Sequence, residues 1–218
     1  MKQFKPLFLL LFTLLLYFNS QSHDTSITQI ATNNFILLSP DQKSFTGAGW
    51  DTLIQQIQQA DFVLIGEDHF TNEIPAFFKA ITAKVKFDNF FCDIDPYSAK
   101  IIQNKIATLP EEQLSKNIAK YGNTFSFYAL DPEFQLMPQL VKSNATIYGL
   151  NQILLIAERL VCSELKQTTK NAQARKIYDT IESNSKNYFD NFLKDPNKPF
   201  YFLTGDFEKN LTALTSFL

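Results

Sequence analysis

Phe62-Val63-Leu64-Ile65-Gly66-Glu67-Asp68-His69 runs from four consecutive apolar residues through a glycine into three ionisable side chains. An apolar run of that length, bounded by a turn residue, suits a strand buried on both faces and is too short for a helix. Beyond it, Ile74, Phe77, Phe78, Ile81 and Val85 recur at helical spacing, with Asn72 placed to cap. The same cadence appears on both sides. Upstream, Phe35–Leu38 reads as a short strand, Gly47 and Gly49 as a turn, and Trp50, Leu53, Ile54, Ile57 and Ala60 as one helix face. Downstream, Phe90–Ile94 reads as a strand that stops at Asp95-Pro96, a capping residue followed by a first helical proline, and the helix continues through Ile101, Ile102 and Ile106. Alternating apolar runs and helical stripes predict an α/β fold, a mostly parallel sheet flanked by helices.

Residues 110–142 interrupt the cadence. They carry two helix starts, Pro110-Glu111-Glu112 and Asp131-Pro132-Glu133, without a clear strand, and read as a helical excursion that covers a sheet edge or extends the core. Thr146–Leu150 is a fourth sheet-type run. Ile153, Leu154, Ala157, Leu160, Val161 and Leu165 then mark a helical stripe. Ala174, Ile177, Tyr178, Ile181, Tyr188 and Phe192 mark a second, longer one that Pro196 and Pro199 end. Phe200–Leu203 reads as a last strand, followed by Gly205 and a final helix. No internal repeat or low-complexity linker appears, so residues 23–218 are expected to form a single α/β domain.

The chain has 218 residues, 45% hydrophobic and 19% charged, with 22 Phe and 8 Tyr, a composition that excludes disordered and collagen-like classes and supplies ample core. Lys and Arg number 20 against 22 Asp and Glu, with no long basic block, so nothing electrostatic supports a nucleic-acid partner. Lys2 and Lys5 precede the apolar run Pro6–Phe18, and Asn19-Ser20-Gln21-Ser22 follow. That layout is a secretory signal peptide over residues 1–22 with cleavage after Ser22. The run is shorter than the roughly 20 residues of a spanning helix, the uncleaved anchor being the other reading. The expected product is exported, periplasmic or secreted, with no membrane partner after cleavage and no cysteine after the run to accept a lipid. Two cysteines, Cys92 and Cys162, exclude a disulfide framework and a Cys-rich zinc site. They are compatible with one bridge or with two buried free thiols.

Open parallel sheets bind ligands beyond the carboxyl ends of their strands. After the second run come Glu67, Asp68 and His69, with Glu73 one turn on; after the third, Asp93 and Asp95; after the fourth, Asn151 and Gln152; after the last, Asp206 and Glu208. Several carboxylates would then surround His69. Helix capping is the competing reading for Asp95, Asn151 and Asp206. His69 lies in a loop two residues from Glu67, and neighbouring carboxylates either favour its protonated form or orient its neutral ring. The other histidine, His23, falls at the expected mature terminus. No Gly-x-Ser-x-Gly elbow, Walker-type phosphate loop, Gly-x-Gly-x-x-Gly or His-Glu-x-x-His occurs. A single loop histidine among acids suits Mn, Mg or Ca better than Zn.

Val63–His69, with Glu73 following, resembles the erythromycin esterase-like and ChaN-like superfamily, whose members carry Gly-Glu-x-His or a close variant after an apolar strand. Phe90–Pro96 is similar to that family's second strand, and Tyr148-Gly149-Leu150-Asn151-Gln152 to a later Gly-Leu-Asp-Gln-like segment. The resemblance spans most of residues 60–155. It implies an α/β domain whose Glu and His activate water, or hold a metal or haem, at the sheet edge. By position Glu67 and His69 match best, Glu73 matches the acid that opens the following helix, and Asp93 stands for the strand-end acid. The chain departs at Phe70, where a small residue is frequent, at Asn151, where an acid is frequent, and in lacking a late histidine. The resemblance therefore implies an exported hydrolase acting on a small ester or lactone, with Glu67, His69, Glu73 and Asp93 as its catalytic set. The alternatives are a haem or divalent-metal binder using Glu67, His69 and Asp93, or a catalytically inactive member.

Overall fold

Hydrogen-bond pairing, rather than apolarity alone, decides which of the expected strands form. The computed structural model describes residues 28–30, 32, 36–41, 44–66, 70–125, 128 and 131–217. The expected signal peptide over residues 1–22, with His23, Phe35, Glu67, Asp68 and His69, lies outside the described residues. Of the described residues 63% are helical, and the strands form two small sheets, one antiparallel and one parallel. The chain divides between Gln56 and Ile57 into two units.

In the first unit, Ser39–Asp41 (β1) and Ser44–Thr46 (β2) make an antiparallel hairpin in which Pro40 faces Phe45. The expected strand at Phe35–Leu38 is not formed by its described part, Ile36–Leu38; pairing begins one residue later, where Ser44–Thr46 offers an antiparallel partner. Gly47, at φ 101°, ends β2, and helix α1 (Ala48–Gln58) follows, crossing the division. Phe45 rests on the buried Trp50 with ring centroids 5.2 Å apart.

In the second unit, helix α2 (Glu73–Thr82) leads to strand β3 (Asn89–Cys92) and helix α3 (Pro96–Thr108). The helical excursion is present as α4 (Glu111–Tyr121), a 3-10 turn at Gly122–Thr124, α5 (Asp131–Phe134) and α6 (Leu136–Lys142). Strand β4 (Thr146–Gly149) returns beside β3 in parallel, with Phe90 opposite Ile147 and Phe91 opposite Tyr148. A parallel pair needs a long crossover, and the segment from α3 to α6 supplies it. The crossover is core as well as connection: α3 and α6 pack on β4, and Ile94, Ile102, Met137, Ile147 and Leu160 share one buried cluster. Helices α7 (Glu158–Thr168) and α8 (Ala172–Lys194) pack against each other, and α9 (Gly205–Thr215) closes the chain on α8.

Two expected strands fail for lack of a partner. Phe62–Ile65 forms no ladder; Phe62 and Leu64 are 83% and 97% exposed while Val63 and Ile65 are half-buried, so the run presents one face, not two, to the protein. Phe200–Leu203 becomes a 3-10 turn at Tyr201–Leu203. There Tyr201 is buried and its hydroxyl accepts hydrogen bonds from the side chains of Asn184 (3.3 Å) and Asn210 (2.7 Å). Side-chain anchoring to α8 and α9 replaces the ladder. Among the described residues the parallel sheet is thus the β3–β4 pair, and none of their helices is long and apolar enough to cross a membrane.

Gly149 fixes how β4 ends. A Cβ there would lie 2.4 Å from both the Ile94 and Asp95 carbonyl oxygens, so only glycine lets the two backbones meet. A Gly149→Ala substitution is expected to cost about 3 kcal/mol by overpacking against rigid backbone, read from urea denaturation; a loss below about 0.5 kcal/mol would contradict this close approach.

A charged cluster joins α4, α7 and α8. The Glu182 carboxylate takes Lys120 at 2.6 Å on one oxygen and Lys166 at 2.8 Å on the other, and the Tyr121 hydroxyl lies against it and 2.8 Å from Ser163 Oγ. Burial alone would raise the Glu182 pKa, but these donors outweigh it and hold it at about 2. Its stabilisation is therefore present above the ordinary carboxylate pKa and lost as the pH falls through about 2. Buried Glu158 behaves oppositely. Both its oxygens lack a hydrogen-bond partner, and burial raises its pKa, so stability is lost as the pH rises through the raised value. Denaturation across a pH series should show Glu182→Gln losing about 2 kcal/mol at neutral pH, and Glu158→Gln removing the loss that follows rising pH. A wild-type profile unchanged by either substitution would contradict both assignments.

Candidate functional site

The parallel pair brings some of the sequence-expected site residues together and keeps others apart. Leu150 N donates to Cys92 O at 3.1 Å and Asn151 N to Ile94 O at 3.0 Å, extending the pairing past the strand ends. This carries Asn151 beside Asp93, whose Oδ1 accepts from Asn151 Nδ2 at 2.7 Å on the exposed rim. Asn151 Oδ1 also accepts from Gln152 N at 2.7 Å, and since no helix begins there the capping reading of Asn151 does not hold. Gln152 itself is exposed.

Capping does account for Asp95. It is 1% exposed at the start of α3, and its Oδ1 accepts from Tyr97 N and Ser98 N at 2.9 Å each, satisfying two of the helix's orphan donors. Asp206 and Glu208 sit exposed in the first turn of α9, packed on α8 and the Tyr201–Leu203 turn instead of at a strand end, because the strand expected before them does not form. Thr204, rather than Asp206, caps α9, and Asp206 pairs with Lys209 at 3.1 Å. Glu73 is exposed in the first turn of α2, and Asn72 before it makes no side-chain cap. The arrangement of Glu67 and His69 lies outside the described residues.

A concavity lies elsewhere along β3. A cavity of about 570 Å³, within the range of small-molecule sites, is lined by Phe62–Ile65, by Ile74, Pro75 and Phe78 of α2, by Val85–Phe91, and by Tyr128, Glu133 and Leu136. Its walls are aromatic: Phe78 stacks on Phe90 at 5.4 Å and touches Phe87 at 6.3 Å, while Phe90 meets Tyr128 edge-on at 6.2 Å. Its ionisable lining groups are Asp61, Lys86, Asp88 and Glu133. Glu133 is 4% exposed, and its Oε2 has no hydrogen-bond partner. Part of the helical excursion lines the cavity, through Tyr128, Glu133 and Leu136, while Met137 and Leu140 extend the core.

Among the described residues no three His, Cys, Asp or Glu side chains gather to hold a metal ion. Asp93 with Asn151 offers one carboxylate and one amide. Cys92 and Cys162 are unbridged and buried, and burial pushes both thiols up to about 12, away from the range of a reactive thiolate at neutral pH. No family model, curated protein or solved structure matches the chain.

Tyr128, Glu133 and the phenylalanine walls escape a reading based on strand ends, because they line the side of β3. One signal points to them: seven of the 22 phenylalanines fall between residues 62 and 91, more than one helix face and one strand require. If the cavity accepts an apolar body, indole should raise the melting temperature of the wild type and leave Leu136→Trp, which fills the space, unmoved. Equal shifts in both proteins would place indole elsewhere.

Proposed function

We propose that this chain is a small-molecule hydrolase of the erythromycin esterase-like kind, exported through its 1–22 leader. The substrate's apolar body occupies the cavity beside β3, and its ester or lactone carbonyl meets water activated by His69, which Glu67 orients. The observation that carries the reading is that Ile65 and Ile74, which bracket the 67–69 segment in sequence, both line this aromatic cavity. A pocket without adjacent acid–base groups would bind without reacting, and an acid–base segment without a pocket would have nothing to position.

Two further features support it. Phe70, directly after His69, holds φ at 67°, a left-handed conformation costly for a bulky residue and concentrated at functional turns. The first turn of α2 has no side-chain cap, so its amide N–H groups remain suited to stabilise an oxyanion. Glu73, in the same turn, is available for proton transfer. Asp93 and Asn151, hydrogen-bonded to each other, stand outside the cavity lining and tie the segments that follow β3 and β4.

The test is hydrolysis of a panel of esters and lactones by the full chain, with and without added divalent metal, beside His69→Ala. General acid–base catalysis predicts a loss of about 10² to 10⁴ in rate for the variant at unchanged stability. A well-folded wild type without turnover on the panel, or a variant as active as the wild type, would overturn the hydrolase reading.

A further inference from the structure

We infer that the ligand of the aromatic cavity carries a cationic amine, and that Glu133 is the residue that receives it. This names a substrate class and rests on the cavity being the ligand site. Glu133 is 4% exposed on α5, and its Oε2 points to no donor, although buried carboxylate oxygens are normally hydrogen-bonded. No ion pair among the described residues uses it. An orphaned acceptor lining a small-molecule cavity has the chemistry of an ammonium site.

The rest of the lining agrees. Among the described lining residues Asp61, Asp88 and Glu133 outnumber the one cation, Lys86, a balance that disfavours an anion. Phe78, Phe90 and Tyr128 lie in ring contact around it, and aromatic faces attract an organic cation once water is displaced. A bare metal ion is a poor fit, since Glu133 belongs to no group of three His, Cys, Asp or Glu side chains among the described residues. An apolar amine satisfies the carboxylate and the rings together.

The experiment is calorimetric titration of the full chain with 2-phenylethylamine and with its neutral counterpart 2-phenylethanol, at a pH where the amine is protonated. The wild type should bind the amine at least about tenfold more tightly, as a charge-assisted hydrogen bond requires. Glu133→Gln should erase that preference while leaving the alcohol's affinity within about twofold. Should Glu133→Gln fail to fold, Glu133→Asp, which withdraws the carboxylate by one methylene, must weaken the amine severalfold without weakening the alcohol. Equal affinities in the wild type, or a preference that survives the substitutions, would overturn the inference alone. Binding of neither probe would overturn the cavity as ligand site as well. Amine preference without hydrolysis of any ester would leave this inference standing and remove only the hydrolase reading.

Discussion

Backbone meets backbone where β4 ends against Ile94 and Asp95, and the absence of a side chain at Gly149 makes that contact possible. From it follow the hydrogen bonds of Leu150 and Asn151 to Cys92 and Ile94, the position of Asn151 beside Asp93, and the burial of Asp95 as the cap of α3. Capping in turn sets α3 on β4, where Ile102 joins Ile94, Ile147 and Leu160. Two four-residue strands would be marginal alone. Here the crossover helices cover them, and their exposed aromatic pair, Phe91 on Tyr148 at 5.2 Å, adds a cross-strand contact.

Local chemistry made much of this legible before any coordinates. Asp95-Pro96 gave the start of α3, Pro196 the end of the long helix, and the Pro110 and Asp131 starts gave the helical excursion, because caps and prolines act through neighbouring backbone groups. Pairing was not legible. Phe62–Ile65 and Phe200–Leu203 have the composition of buried strands, yet a ladder needs a second edge at hydrogen-bond distance, a non-local condition that composition does not encode. Tyr201 shows the alternative, a buried aromatic held through its hydroxyl by Asn184 and Asn210.

The candidate site was legible in a similar part. The rule that ligands collect at strand ends located Asp93 and Asn151 together, but it drew in Asp206 and Glu208 through a strand that does not form. It also missed Glu133, which the fold brings to the same cavity as Phe90, a residue distant in sequence. A buried carboxylate with an unpartnered oxygen has no sequence signature beyond an ordinary helix-start acid.

Electrostatics separate the two halves of this picture. The Glu182 cluster is saturated with donors and works as a brace between α4, α7 and α8, whereas Glu133 lacks a donor at a cavity wall and is poised for a ligand. The most direct test of the cavity as ligand site is a titration of the full chain, labelled at isoleucine δ1 methyls, with 2-phenylethylamine. The account predicts that the Ile65 and Ile74 methyls shift together along one saturation curve while the core methyls of Ile102 and Ile181 stay in place. Saturable shifts that spare Ile65 and Ile74, or no saturable shift at all, would contradict it.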